Sequence, residues 1–418
     1  MSESQWSTAN SLTTKASYIP NSEEAMLSAS DKAAEDYFGS VIAIDDTGIR
    51  VIVGSYGADP SGINYGGKAY IFTRTGSTWS QEAILTANTV VAAEYFGFAV
   101  AITGAGDRVI IGARGATATA PYSGAVYVFI RSGTTWTQES RFGGANGSAN
   151  DQFGYSVAVD SNGDRIAIGA PSANPGSIQD AGAVYIFRRN VSTWIQEAYL
   201  SPSEINSGIA FGQSTIDITS DGTRMIAGAP YLTAGGISGN GRAYVFVRSG
   251  TTWSQEQIIA NSDAPATYDN YGSNVAISGD GTRLVIGCLG KEYGGYTDAG
   301  ACYVYSRSGS SWSFERKILS STINSYSNFG GAIAINNNGS RIAIGETTIQ
   351  PGTKKGAVHT YVRSGTAWSF ETKITASQAF TGIGGSIDIA SDGFRIASGN
   401  SSSEVAGVVN AGAAYIFS

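Results

Sequence analysis

The chain is 418 residues long, 42% hydrophobic and only 14% charged, with 55 glycines and a formal net charge of −7. That apolar content can fill a sizeable core, while the acidic balance leaves no broad basic face for a nucleic-acid backbone. One histidine and two cysteines are too few for a Cys/His metal cluster or a disulfide-stapled fold, and no apolar run approaches the roughly 20 residues that span a bilayer.

Residues 1–20 carry no repeat signature and are read as an extension or attachment arm. The arm has neither a basic start nor an apolar stretch of the signal-peptide kind, so no export leader is expected. From residue 21 the chain becomes periodic. Asn21 to Ala29 align with Trp79 to Ala87, which close the first complete unit as its last strand. The chain therefore opens on a lone final strand, and it stops after a third strand at Ala414-Tyr415-Ile416-Phe417. One strand at the start and three at the end complete one unit, which closes a ring and removes the unpaired edges of an open array.

The repeat is marked by an arginine at Arg50, Arg108, Arg165, Arg224, Arg283, Arg341 and Arg395, a step of about 58 residues. Each unit reads as four strands. The first follows an aromatic-Gly pair and is apolar at nearly every residue, as in Val41-Ile42-Ala43-Ile44, which suits burial on both faces. A turn such as Asp45-Asp46-Thr47-Gly48 leads into the second strand, Arg50-Val51-Ile52-Val53-Gly54. A longer loop precedes a third strand such as Ala125-Val126-Tyr127-Val128-Phe129, and a short turn then opens the fourth strand at Trp79, Trp136, Trp194, Trp253, Trp312 or Trp368. The expected architecture is all-β, a seven-bladed propeller over residues 21–418 with four-stranded antiparallel blades, closed by the N-terminal strand.

The pairing of Phe-Gly at the head of a blade with Gly-Ala-Pro after its second strand resembles the FG-GAP repeat, the unit of the integrin alpha-subunit head. The nearer resemblance is to the FG-GAP variant of bacterial and viral proteins, with its Trp-Ser-Gln-Glu segment at Trp79 to Glu82. Phe-Gly stands at Phe38, Phe96, Phe153, Phe211 and Phe329 and becomes Tyr271-Gly272 and Ile383-Gly384 elsewhere, while Gly-Ala-Pro is intact at Gly169-Ala170-Pro171 and Gly228-Ala229-Pro230. The integrin resemblance implies calcium loops rich in acid between the first two strands. The nearest matches are Asp160, Asn162 and Asp164, the loop from Asp217 to Gly222 and the loop from Asp388 to Gly393, but each offers at most two carboxylates where calcium takes six to eight oxygens, so a hairpin turn is the favoured reading and no cofactor is expected.

Glu24, Glu82, Glu139, Glu197, Glu256, Glu315 and Glu371 recur in the fourth strands and are expected to pair with the arginines across each blade. Sevenfold recurrence favours a structural role. Cys288 and Cys302 flank one loop, where a bridge and two small buried thiols are both open. His359 has no evident Ser or Cys partner in sequence, no nucleophile, phosphate-loop or zinc motif appears, and no catalytic residue is assigned. What varies between units is the tyrosine content of the loops after the second strand: Tyr56, Tyr65, Tyr122, Tyr231, Tyr293 and Tyr296, joined by Tyr95, Tyr268 and Tyr326 from the other loop set. Tyrosine offers contact area and a hydroxyl at low rotamer entropy, so this face is the expected recognition surface. The expected function is a non-enzymatic interaction module in a virus or phage particle, at the virion or extracellular surface. It would be attached through residues 1–20 and the propeller faces to other particle proteins, and would meet a receptor or glycan. The alternatives are a bacterial surface or secreted adhesion protein, and a propeller glycosidase or lyase.

Overall fold

A computed structural model describes residues 19–347, 356–377 and 382–418, so the expected arm lies almost wholly outside the described residues. Seven four-stranded antiparallel sheets form a ring, six of them running in chain order from the inner strand outward. Blade 1 comprises Ile42–Ile44, Arg50–Ser55, Lys68–Thr75 and Thr78–Leu85. Blade 2 comprises Phe96–Ile102, Arg108–Ala113, Ala125–Ser132 and Thr135–Phe142, and blade 3 Ser156–Val159, Arg165–Ala170, Ala183–Asn190 and Thr193–Leu200. Blade 4 is built from Ile216–Ile218, Arg224–Ala229, Arg242–Ser249 and Thr252–Ile259, and blade 5 from Tyr271–Ile277, Arg283–Cys288, Ala301–Ser308 and Ser311–Ile318. Blade 6 follows with Ile333–Ile335, Arg341–Glu346, Ala357–Ser364 and Ala367–Ile374.

Blade 7 takes Ser386–Ile389, Ile396–Asn400 and Ala413–Phe417 from the end of the chain and its outer strand, Glu23–Leu27, from the start. Glu23 pairs with Phe417 and Leu27 with Ala414. The ring closes as the strand count demanded. Among the described residues no helix is long and apolar enough to cross a membrane.

The core lies between blades rather than within one sheet. Ile52 and Ile71 of blade 1 pack with Val109, Ile111 and Tyr127 of blade 2, and the same layer recurs around the ring. Each fully buried Ile or Phe in such a layer is worth about 2 kcal/mol. The two halves of the repeat motif meet here. A Cβ added to Gly169, on strand two of blade 3, would sit 2.1 Å from the carbonyl oxygen of Gly212, the Phe-Gly glycine of blade 4. The equivalent contacts join Gly54 to Gly97 and Gly399 to Gly39. The motif is thus a backbone-to-backbone seam that any side chain would pry open.

The glutamate ladder links blades as well as crossing them. Glu82 of blade 1 accepts from Arg50 of its own blade at 3.3 Å, from Arg131 of blade 2 at 2.6 Å and from the Trp136 indole N–H at 2.9 Å. Glu315 likewise takes Arg363 at 2.6 Å and Trp368 at 3.2 Å from the next blade. The recurrent tryptophan is therefore an anchor between blades.

Candidate functional site

The seven inner strands line a central channel whose two mouths differ. At the turn face the wall carries Asp46, Ser161, Ser220 and Asn337 around a cavity of about 240 Å³. Midway along the inner strands a ring of alanines (Ala43, Ala101, Ala158, Ala276, Ala334) is broken by Asp217 in blade 4 and Asp388 in blade 7. Each aspartate accepts a backbone N–H from the next blade, Ile277 to Asp217 at 2.8 Å and Ile44 to Asp388 at 2.9 Å. Both keep some surface toward the channel but sit deep between strands, and that burial pushes each carboxyl up to about 7.

The loop-face mouth is larger, a cavity of about 610 Å³. Its shape follows from two repeat positions. The residue after the aromatic-Gly pair projects onto the mouth, and it is Phe98 and Tyr155 in blades 2 and 3 but Ser40, Gln213, Ser273, Gly331 and Gly385 in the others. The residue before the pair adopts left-handed backbone, with φ of 55° at both Tyr37 and Tyr95. It places those rings on the rim. Tyr37 stacks on Tyr56 at 5.3 Å, Tyr56 lies 5.4 Å from Phe98, Phe98 meets Tyr155 edge-on at 4.9 Å, and Tyr95 bridges Tyr56 and Tyr65. The Arg114 guanidinium lies against this group, 4.4 Å from the Phe98 centroid, 4.7 Å from Tyr95 and 5.8 Å from Tyr155. Burial raises the Tyr56 phenol above its ordinary value, with the neighbouring tyrosine Tyr37 reinforcing the shift. Blades 1–3 thus form an aromatic wall, faced across the mouth by small polar groups of blades 4–7.

Of the tyrosines singled out in sequence, Tyr56, Tyr65 and Tyr95 belong to this wall. Tyr231 lines a side cavity shared with Tyr155, Gln213 and Asn270. Tyr293 and Tyr296 instead bond to each other's backbone in a tight turn, with the Lys317 ammonium 5.1 Å above the Tyr293 ring. Tyr122 is 55% exposed and takes no part in the ring contacts of the wall. Sequence reasoning missed Tyr37, Phe98, Tyr155 and Arg114. The signal for Phe98 and Tyr155 was present, since they are aromatic where five relatives are small or polar.

In the first of the loops read as calcium matches, Asp160 Oδ1 accepts the N–H of Asp164 at 2.7 Å and of Arg165 at 3.1 Å, and Asp164 pairs with Arg189 at 3.0 Å. Burial pushes the Asp160 carboxyl up to about 6. The Asp160 carboxylate closes the hairpin, while that of Asp164 is taken by an arginine of the third strand. Among the described residues no group of three His, Cys, Asp or Glu could hold a metal. Cys288 and Cys302 are free and buried. Cys302 pairs with Gly287 rather than with Cys288, so the one-residue offset sends the two thiols to opposite faces of the sheet. A bridge is ruled out by register.

His359 does have partners, contrary to expectation. Its Nε2 lies 2.8 Å from Glu346 Oε2, its Nδ1 lies 3.3 Å from the Ser321 hydroxyl, and Lys373 donates to the same Glu346 oxygen at 3.1 Å. His359 stands where other blades carry Tyr70, Tyr127, Tyr185, Tyr244, Tyr303 and Tyr415, and Glu346 where blades 2–4 carry alanine. Burial works to raise the Glu346 carboxyl, but His359 and Lys373 more than offset it and leave it below its ordinary value. Both His359 and Glu346 are fully buried, so the group reads as an internal ion network.

A ring of seven four-stranded antiparallel blades defines a seven-bladed β-propeller. FG-GAP repeat models match residues 22–72, 79–129, 136–187 and 253–305, and the chain belongs to the FG-GAP repeat family. Each match runs from a fourth strand through the third strand of the following blade, the same offset by which blade 7 is completed. No curated protein matches the chain in sequence. Among solved structures, hydrazine synthase of Kuenenia stuttgartiensis is similar in fold, with a TM-score of 0.56 and 10% identity over 89% of this chain and 94% of that one.

Proposed function

We propose that this propeller is a non-enzymatic binding head that captures its partner at the loop-face mouth, and that it serves at the surface of a virus or phage particle. The observation that carries the binding role is the aromatic wall of Tyr37, Tyr56, Phe98 and Tyr155, gathered from three blades onto one side of a cavity of about 610 Å³. Partly exposed rings around a concavity supply contact area at low entropic cost, as binding surfaces do. Membership of the FG-GAP repeat family, whose integrin relatives the sequence resembles, supports an interaction role. The partners in this reading are a host receptor or glycan at the mouth and other particle proteins on the remaining surfaces.

Two measurements test it. Mass spectrometry of purified particles is expected to find the chain in stoichiometric amount, and its absence overturns the particle setting. Binding of the purified propeller to host cells is expected to drop about tenfold or more in Phe98→Ala with Tyr56→Ala. Full binding by that double variant, or hydrolysis of a host polysaccharide by the wild-type protein, overturns the reading.

A further inference from the structure

The inner strand of each blade ends its sheet, so its free edge faces the central channel. Antiparallel pairing sends alternate N–H groups to strand two and the rest to that open edge. Thr103 donates to the Arg108 carbonyl, Asp160 to Arg165 and Asn336 to Arg341, so the N–H one residue earlier points into the channel. The same bond recurs in all seven blades, and it sets a ring of seven backbone donors, one from each inner strand.

Four of the seven are taken by two carboxylates. Asp217 Oδ1 accepts from Ile218 of its own blade at 2.8 Å, and its Oδ2 accepts from Ile277 of the next blade at 2.8 Å. Asp388 spans Ile389 and Ile44 in the same way, at 2.8 and 2.9 Å. Each carboxylate therefore bridges two adjacent blades. Among the described residues the ring N–H groups of Ile102, Val159 and Ile335 have no acceptor. Ile335 stands alone between donors already paired. Ile102 and Val159 are neighbours, in blades 2 and 3, and the position that would bridge them is Ala101, where blade 4 carries Asp217. The methyl group leaves the pair open. Both donors and Ala101 line the cavity of about 240 Å³, which shares Val100 and Val157 with the loop-face mouth and is entered from there.

We propose that the channel holds a seat for a small carboxylic acid in blades 2 and 3, its carboxylate bridging the N–H groups of Ile102 and Val159 beside Ala101. The seat is distinct from the aromatic wall and takes a small molecule, not a macromolecular partner. Two donors on adjacent strands match the two oxygens of a planar carboxylate, a span that a spherical halide does not make. A dianion such as phosphate would set more charge against Asp217 and Asp388 across the channel.

NMR of the full chain, isotope-labelled at the isoleucine and valine amides, tests this by titration with sodium formate at pH 6, where Asp217 and Asp388, titrating at about 7, carry little charge. The Ile102 and Val159 amides are expected to shift together and to saturate, with an apparent Kd about tenfold or more below that for chloride, while the four capped amides hold still. Ala101→Asp, which supplies the missing carboxylate from within, and Ala101→Val, which fills the space, are each expected to abolish the response. Thermal melting separates that loss from a loss of fold, and the wild-type titration decides even if both variants unfold. No saturable shift at the two amides, an equal response to chloride, or a response kept in a folded Ala101→Asp protein overturns the seat. Displacement of formate by a decapeptide with a free C-terminal carboxylate would assign the pair to a partner's chain end and overturns the small-acid reading.

Discussion

Glu24 and Arg395 are separated by 371 positions in sequence yet share a hydrogen bond of 2.9 Å, Oε2 of the one accepting from Nε of the other. The second oxygen of Glu24 takes Arg74 of blade 1. One carboxylate on the N-terminal strand thus clamps blade 7 to itself and to its neighbour. Burial acts to raise the Glu24 carboxyl, and the two arginines overcome it, holding it below its ordinary value.

Substituting Glu24→Gln is expected to cost about 2 kcal/mol, the scale of a charge-assisted hydrogen bond lost from a half-buried site. Urea denaturation measures the total, and hydrogen exchange is expected to show protection lost first between Glu23–Leu27 and Ala413–Phe417. Uniform loss over all blades would show that the clamp does not act locally.

The glycine seam gives a sharper contrast. Gly169→Ala places a Cβ 2.1 Å from the Gly212 carbonyl oxygen and is expected to cost about 3 kcal/mol or more through forced separation of blades 3 and 4. Gly76→Ala, in an open hairpin turn with φ of 62°, is expected to cost only about 1 kcal/mol of backbone strain. Equal melting temperatures for the two variants would contradict the seam.

Acid and base act on the channel aspartates in a direction that burial fixes. Asp217 and Asp388 titrate at about 7 in the fold against 3.8 ordinarily, so between those values the folded state holds more protons than the unfolded one. Stability is therefore expected to fall as pH rises through this window, with each carboxyl contributing up to about 1.4 kcal/mol per pH unit. Melting followed from pH 5 to pH 8 in Asp217→Asn with Asp388→Asn is expected to show a flatter slope than wild type. An unchanged slope would place the titration elsewhere.

Blade 6 departs from the repeat at two facing positions together, which predicts energetic coupling. Glu346→Ala alone strands His359 and Lys373, and His359→Tyr alone sets a phenol against the buried carboxylate, so each single change is expected to cost about 2–4 kcal/mol. The double variant restores the Tyr and Ala found at Tyr127 and Ala113 of blade 2 and is expected to cost less than the sum of the singles by about 1 kcal/mol or more. Simple additivity in urea denaturation would mean the pair did not arise as a unit.

The fold was legible because every one of its determinants repeats: the aromatic-Gly pair, the arginine and the tryptophan each recur at one step, and strand number alone demanded closure. The mouth was legible only in part. Tyr56 stood out as a loop tyrosine, but its stacking partner Tyr37 precedes the Phe-Gly pair of its own blade, and Phe98, Tyr155 and Arg114 come from blades 2 and 3. Ring closure brings these positions together, and no local pattern records that they converge. Tyr293 and Tyr296 lie apart from the wall, joined to each other through their backbones in a tight turn that leaves both rings exposed. The partners of His359 were invisible because Ser321 and Glu346 reach it from a different loop and a different strand.

Closure by the strand Glu23–Leu27 has a mechanical side. Glu23 lies opposite Phe417, and the Ser22 hydroxyl donates to the Ser418 carbonyl at 2.6 Å, so positions 22 and 418 leave the ring side by side at one end of their shared ladder. Tension applied between them loads that ladder one rung at a time, as a zip is opened, rather than shearing all rungs together. A ring that resists heat through its inter-blade layers would thus part at modest force when pulled by these two points, and would hold when gripped on opposite faces.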